Sequence, residues 1–139
     1  MGTIRIAEVE TLEWTPNRDR IQQMRPEMLA RYSAGELDSD RRGHSDGSDT
    51  EPQLFEVRLP ADVEAGAHAH DRDEMMYIVD GEMHVGNRVL RPGSSMFISA
   101  NTLYSFRSGP NGLHFLNFRP QGGARYIFKE DFLAERASS

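Results

Sequence analysis

The chain contains no cysteine. A disulfide framework and a thiolate metal site are therefore excluded, and any bound metal ion must be held by nitrogen and oxygen donors. Basic residues are also few, since 16 lysines and arginines face 22 aspartates and glutamates and leave a net charge of -6. A negative chain repels phosphate backbones and anionic membrane surfaces, so we expect neither nucleic acid nor a membrane as a partner.

Long apolar runs are missing as well. No segment approaches the roughly 20 apolar residues that cross a bilayer, and the first residues, MGTIRIAEVE, lack a basic stretch followed by an apolar one. No glycine-rich phosphate loop is present, so we expect no nucleotide cofactor. These absences predict a soluble, cytoplasmic protein. With 139 residues, the chain has the length of one domain.

The first third of the chain differs in texture from the rest. Pro26 suits the first position of a short helix within residues 20–32. Residues 33–52 are almost wholly polar and rich in Asp, Ser and Gly, which indicates a mobile loop and a candidate lid. The predicted organisation is an N-terminal arm with this helix and loop (1–52), a β-barrel (53–128) and a C-terminal tail (129–139).

Residues 53–128 consist of short apolar and β-branched runs separated by Gly, Pro, Asn or Asp. Asp80-Gly81 and the segment from Gly109 to Gly112 are typical of tight reversals. This rhythm predicts six or more strands in an all-β barrel or sandwich. The runs are LFEVRL, AHAHDRDEMMYIV, EMHVGNRVL, SMFIS, LYSFRS and LHFLNFRP.

His68, His70 and Glu74 carry the predicted chemistry. They share even parity within one strand-like stretch, and strand side chains alternate between faces, so all three are expected to point into one cavity. Two imidazoles and one carboxylate suit iron(II), and they also accept manganese, nickel, copper or zinc. Three protein ligands leave positions open for water, oxygen or substrate, as a catalytic site requires.

The stretch HAHDRDEMMYIVDG resembles the first motif of the cupins. That motif has two histidines separated by one residue, a glutamate after three more residues and a glycine after six more, which here is Gly81. The resemblance spans about residues 54–118. It implies a jelly-roll or double-stranded β-helix barrel, commonly dimeric, so the predicted fold is an all-β jelly-roll barrel with a short N-terminal helix.

The second cupin motif is degenerate here. Aligned from Gly93 to Ser108, it matches only at Gly93, and the position of the family's fourth metal-binding histidine falls on Tyr104. We predict that Tyr104 points to the metal as an acid/base or as a weak ligand. His114 is a second candidate ligand: if a hairpin pairs Phe106 with His114, both face inward, whereas a slip of one residue puts His114 outside.

Four arginines are candidates for holding a substrate carboxylate if one of them faces inward. We single out none of them from the sequence. They are Arg58, Arg107, Arg119 and Arg125.

The resemblance implies an enzyme with one divalent metal ion, iron favoured, acting on a small molecule. We rank oxygenase chemistry, dioxygenase-like, slightly above lyase or isomerase chemistry, for which Tyr104 would serve as the acid/base. The alternative is a non-catalytic cupin that binds a ligand or metal for sensing or storage, which the degenerate second motif favours. A third interpretation is a metal-free, epimerase-like barrel that uses histidine and tyrosine. The N-terminal arm predicts a homodimer, because an edge strand seeks pairing.

Overall fold

The computed structural model describes residues 2–138; Met1 and Ser139 lie outside the described part. This part forms nine strands, three α-helices and two 3-10 helices, the latter at Val9–Thr11 and Pro26–Arg31. The α-helices are α1 (Asn17–Met24), α2 (Ala34–Leu37) and α3 (Lys129–Ala137). The strands are β1 (Thr15–Pro16), β2 (Asp40–Ser45), β3 (Gln53–Leu59), β4 (Glu64–His70), β5 (Glu74–Val85), β6 (Arg88–Leu90), β7 (Ser95–Ile98), β8 (Tyr104–Arg119) and β9 (Tyr126–Phe128).

The nine strands form one antiparallel sheet that curls into a jelly-roll barrel, as the sequence predicts. Its main path is β1-β2-β3-β8-β4-β9, and β5 pairs with β6, β7 and β8. The early part of β8 lies between β4 and β5, and its later part lies between β3 and β5. The two long strands β5 and β8 therefore join the two halves of the barrel.

The two predicted reversals are not turns. Asp80-Gly81 and the segment from Gly109 to Gly112 lie inside β5 and β8, which run through them as irregular pairings. Both Gly81 and Gly112 have positive φ, and a Cβ added at Gly81 would collide with the Gly112 carbonyl oxygen. The glycines thus permit a close crossing of two continuous strands, the role of a bulge rather than of a hairpin.

The hydrophobic core fills one end of the barrel, and a cavity of about 870 Å³ occupies the other. Met76, Phe106 and Phe115 belong to both, so the core forms the floor of the cavity. Residues of α1 and of the segment that follows it line the opposite side. The site described below therefore lies between an apolar floor and the N-terminal arm.

The N-terminal arm is more ordered than its composition suggests. A short helix is present, although α1 ends at Met24 and Pro26 begins a separate 3-10 helix. The predicted polar loop 33–52 contains α2 and the strand β2, which pairs with β3 along its length. Much of the candidate lid is thus part of the sheet. The C-terminal tail also forms a helix, α3. Among residues 2–138, no helix has the length and apolarity needed to cross a membrane.

Candidate metal centre

His68 and His70 both point into the cavity, because they occupy alternate positions of β4. Both are buried. His68 Nδ1 lies 2.7 Å from the Gly66 carbonyl oxygen, and His70 Nδ1 lies 3.1 Å from that of Arg125. A carbonyl oxygen only accepts, so each Nδ1 carries the proton and each Nε2 is unprotonated. The Nε2 of His70 accepts from Arg119 Nη2 at 3.4 Å.

Glu74 begins β5 and is 1% exposed. Its Oε2 accepts hydrogen bonds from Asn117 Nδ2 at 3.2 Å and from Arg119 Nε at 3.1 Å. Its Oε1 lies 4.0 Å from His70 Nε2. Arg119 also donates to Gln53 Oε1 at 3.1 Å and approaches His70 Nε2 at 3.4 Å. Glu74 is therefore held in place through one oxygen while the other faces the imidazoles.

Tyr104 completes this inner group, which we define as His68, His70, Glu74 and Tyr104. It begins β8 and pairs directly with His68 of β4. Its hydroxyl donates to Glu74 Oε1 at 2.6 Å and lies 3.1 Å from His68 Nε2. The structure thus brings together the three predicted ligands and the predicted acid/base.

One close contact within the inner group, between His68 Nε2 and the Tyr104 oxygen, has no proton to form a hydrogen bond. The single hydroxyl proton of Tyr104 is used in the bond to Glu74, and the one proton of neutral His68 is on Nδ1. The lone pair of His68 Nε2 therefore faces the oxygen of Tyr104 with no proton between them. Asn117 Oδ1, also buried, has no hydrogen-bond partner among residues 2–138. Buried acceptors without partners are costly, so a bound cation would stabilise this arrangement.

Burial and charge set the protonation states of the inner group. Burial lowers the pKa of His68, and burial together with Arg119 lowers the pKa of His70 to about 3, so both are neutral at pH 7. Burial alone would raise the pKa of Glu74, but interactions with His70 and Arg119 outweigh it and lower the pKa. Burial and the charge of Glu74 raise the pKa of Tyr104 well above 10. Neutral imidazoles and an ionised carboxylate are the forms that bind metals.

The donor set fits a divalent ion in chemistry, and one pair of its donors has a compatible spacing. Two ligands that each lie about 2.0–2.2 Å from one ion are at most about 4.3 Å apart, and His70 Nε2 and Glu74 Oε1 satisfy this limit at 4.0 Å. As the side chains of residues 2–138 stand, no three His, Asp or Glu groups surround one point as a metal requires. The guanidinium of Arg119, bound to Glu74 Oε2, competes for the carboxylate.

The structure does not bring His114, the other candidate ligand, to this group. Its Nε2 lies 2.8 Å from Glu56 Oε1 on the outer face of the sheet. The cause is the irregular pairing of the two long strands. Gly81 pairs with Leu113 and Met83 pairs with Ser108, so two residues along β5 correspond to five residues along β8. Because that stretch of β8 has an odd number of steps, the inward positions change parity, and Phe115, rather than His114, faces the core.

His114 belongs instead to an outer group, which we define as Arg42, His44, Glu56 and His114. Arg42 donates to both oxygens of Glu56, at 2.8 Å and 2.9 Å. His44 Nε2 lies 2.6 Å from Glu56 Oε2. The Trp14 ring covers the group, edge-on to His114 and within 4.4 Å of the Arg42 guanidinium carbon. Sequence composition alone places His44 in a polar loop, whereas it is in β2 and contacts a buried carboxylate.

Sequence analysis did not identify Asn117 and Gln53 as site residues, and it gave Arg119 no priority over three other arginines. All three lie at inward positions of β8 or β3. The signal was their shared parity with Phe115, which is apparent only once the irregular crossing of β5 and β8 is known. Tyr126, likewise not identified, stacks on His68 with ring centroids 4.3 Å apart.

Comparison with known protein families found no matching family model, and comparison with curated proteins found no match. Solved structures do match. An RmlC-like cupin from Shewanella frigidimarina NCIMB 400 is 19% identical, with 94% of this chain and 96% of that chain covered and a TM-score of 0.61. An RmlC-like cupin from Ralstonia eutropha JMP134 is 16% identical, covers 99% and 85%, and has a TM-score of 0.68.

An acetylacetone dioxygenase from Acinetobacter johnsonii is 16% identical, with 68% of this chain and 66% of that chain covered and a TM-score of 0.56. At such identities a likeness in structure is a likeness in fold. The barrel topology and these three matches agree, and this chain has the fold of the cupins.

Proposed function

We propose that this chain is a metal-dependent enzyme that acts on a small metabolite. His68, His70 and Glu74 hold one divalent ion, iron favoured, and Tyr104 lies at the fourth position. One observation carries the proposal: both histidines line a cavity of about 870 Å³ with Nε2 unprotonated. His70 Nε2 lies 4.0 Å from Glu74 Oε1, and the Tyr104 hydroxyl links His68 Nε2 to the same oxygen. That volume suits a small-molecule ligand.

The surrounding side chains have separate tasks in this proposal. The backbone carbonyls of Gly66 and Arg125 fix the tautomer and the orientation of the two histidines. Asn117 and Arg119 fix Glu74 through its Oε2. The apolar floor, which includes Met76 and Phe106, excludes water from one side of the cavity. When bound, the metal ion acts as a Lewis acid or as the site of oxygen activation.

We rank oxygenase chemistry slightly above lyase or isomerase chemistry. Two imidazoles and one carboxylate with open positions are typical of non-haem iron oxygenases, and a dioxygenase is among the structures with a similar fold. Lyase or isomerase chemistry is favoured by Tyr104. Its hydroxyl donates to Glu74 Oε1 at 2.6 Å and lies 3.1 Å from His68 Nε2, so it is placed to act as an acid/base.

Oxygen dependence separates these two reaction types. Iron-loaded protein is incubated with a panel of small oxidisable metabolites, and oxygen consumption is recorded beside substrate loss, with and without air. Substrate loss coupled to oxygen uptake supports the oxygenase. Equal substrate loss without air supports the lyase or isomerase and rejects the oxygenase. The His70→Ala variant is the control for free iron in either case.

A metal-free barrel is the second candidate. The pair of His68 Nε2 and Tyr104 hydroxyl, 3.1 Å apart, is the observation that favours it, since such a pair can move a proton. A non-catalytic cupin that binds a ligand or metal for sensing or storage is a further alternative. Turnover by the chelator-treated protein identifies the metal-free enzyme, and metal binding without any turnover identifies the non-catalytic cupin. The homodimer stays a prediction that sedimentation equilibrium tests.

A further inference from the structure

Three arginines of the N-terminal arm reach the cavity. Arg20 lies in α1, Arg25 directly follows α1, and Arg41 lies in β2. All three line the cavity together with His68, His70 and Tyr104 of the inner group. Arginine is usually on the surface, where water solvates its charge. Three of them around one cavity therefore need an explanation that the proposed metal site does not provide.

None of the three has a carboxylate partner within residues 2–138. The side chains of Arg25 and Arg41 make no hydrogen bond or ion pair there; Arg25 lies 5.9 Å from the Tyr126 ring centroid, and Arg41 lies 3.6 Å from that of Phe55. Arg20 contacts only the Asn17 amide oxygen, at 2.9 Å, and the Met24 sulfur, at 4.0 Å. The Nε atoms of Arg20 and Arg25 are buried without a partner. A buried donor without an acceptor destabilises the folded protein, so a bound ligand with acceptor atoms would stabilise these arginines.

Two of the three carboxylates that line the same cavity are engaged elsewhere. Glu36 accepts from the backbone amides of Ser33 and Gly66, at 2.9 Å and 3.2 Å. Asp40 pairs with Arg58 at 3.1 Å. Asp46 is exposed and acts on Arg41 through its charge, without a hydrogen bond to it. The positive charge of the three arginines thus remains available to a ligand.

The arginines also act on one another. Burial lowers the pKa of Arg20, and the charge of Arg25 lowers it further. Burial, Arg20 and Arg119 lower the pKa of Arg41 to about 9, although Asp46 opposes the shift. A pKa of about 9 leaves Arg41 charged at pH 7. Like charges that are poorly solvated repel each other, and an anion placed among them removes the repulsion.

We propose that Arg20, Arg25 and Arg41 form an anion-binding subsite, and that the substrate of this protein carries a carboxylate or phosphate group that binds there. The inference rests on the proposed function for the reacting end of the molecule. Guanidinium groups match both oxyanions through paired hydrogen bonds. The subsite thus fixes one end of the substrate.

The subsite lies beside the inner group rather than far from it. Arg41 and Arg119 face the same Phe55 ring, with guanidinium carbons 3.6 Å and 5.3 Å from its centroid, and Arg119 bonds Glu74 directly. A compact molecule therefore reaches the arginines and the histidines at once. We infer a small organic acid or a small phosphate ester, and not a neutral hydrocarbon.

Binding of simple anions tests the subsite. Malonate, succinate and inorganic phosphate are titrated into the metal-loaded protein by calorimetry, with succinamide as the neutral counterpart of succinate. We expect at least one anion to bind and succinamide not to bind. Binding by the dicarboxylates indicates a carboxylic acid substrate, and binding by phosphate alone indicates a phosphate ester. No binding by any anion, or equal binding of succinate and succinamide, overturns the proposal.

Variants tie the binding to these residues. Arg41→Gln and Arg25→Gln should each weaken anion binding by about tenfold to a hundredfold, the value of a charge-assisted hydrogen bond, while metal content stays that of the wild type. Arg107→Gln is the matched control, because Arg107 is half exposed and outside the cavity lining. Affinity unchanged in both cavity variants, or an equal loss in Arg107→Gln, would contradict the subsite.

The subsite and the proposed metal function are separable. Metal loss in the His70→Ala variant should leave anion binding within a few-fold of wild type, because the three arginines lie on other elements. Anion binding that persists when no metal is ever retained rejects the metal function and keeps the subsite. Metal retention with no anion binding rejects the subsite and keeps the metal function.

Discussion

The inner and outer groups lie on opposite faces of the sheet, and each contains two histidines and a glutamate that binds an arginine. In the outer group, Arg42 binds both oxygens of Glu56, and both histidines direct Nε2 at the same carboxylate. In the inner group, Arg119 binds only one oxygen of Glu74, and both histidines direct Nδ1 at backbone carbonyls. Composition is therefore a poor guide to a metal site.

The two groups differ in which imidazole nitrogen remains available to a ligand. In the outer group, both oxygens of Glu56 are engaged by Arg42 and by one histidine each. This is the arrangement of a structural ion-pair cluster. The inner histidines hold Nδ1 on backbone carbonyls and keep Nε2 unprotonated at the cavity, which is an arrangement suited to metal ligands. The comparison predicts that the outer group stabilises the fold and that the inner group binds and reacts.

Removing the outer carboxylate should have the largest effect on stability. Glu56→Ala leaves Arg42 without its buried partner, and breaking such a pair costs about 3–5 kcal/mol. Urea unfolding measures the loss, and metal content of the folded fraction should stay that of the wild type. A loss below about 1 kcal/mol, or a loss of metal from folded protein, would remove the distinction between the two groups.

Acid should act on the outer group with a defined sign. Burial alone would raise the pKa of Glu56, but hydrogen bonds from Arg42, His44 and His114 lower it from 4.5 to about 2. A lowered pKa stabilises the fold at pH values above 4.5, and this contribution is lost as the pH falls from 4.5 toward 2. Unfolding free energies measured across this range should fall less in Glu56→Gln, and parallel curves would refute the assignment.

The hydroxyl of Tyr104 tests the inner group. Tyr104→Phe removes a buried hydrogen bond to Glu74 and should cost about 1–3 kcal/mol in unfolding free energy. Metal should be retained, because His68, His70 and Glu74 remain, whereas turnover should fall by about a hundredfold or more if the phenol is the proton donor. Metal loss as complete as in His70→Ala would instead make Tyr104 a ligand.

The smallest effect is expected at His114. His114→Gln removes one of the contacts to Glu56 but leaves both bonds from Arg42. We expect a loss of about 1 kcal/mol by urea unfolding and no change in metal content. Metal loss in this variant would revive His114 as a ligand and would contradict its position on the outer face.

The sequence was sufficient to predict the barrel and the positions of His68, His70 and Glu74. Strand parity places the two histidines on one face, and the family motif supplies Glu74 and Gly81. Tyr104 was identified because the second motif, though degenerate, keeps its register from Gly93. Each of these inferences depends on short-range spacing within one or two strands.

Long-range pairing defeated the other inferences. His114 is one residue out of phase because β5 and β8 cross with unequal steps, a property of two strands together that neither run reveals alone. β2 looked like a polar loop, since Arg41, Arg42 and His44 are polar, yet they find ring and carboxylate partners on β3. Polar composition does not predict a loop when the partners are distant in sequence.

Metal content tests directly whether the inner group, and not the outer group, binds a metal ion. The wild type, His70→Ala and His44→Ala are purified without a chelating tag, reconstituted with iron, manganese, nickel, copper or zinc, and submitted to elemental analysis. We expect one ion per chain in the wild type and in His44→Ala, and none in His70→Ala. No metal in the wild type with any of these ions, or equal metal loss in both variants, would contradict it.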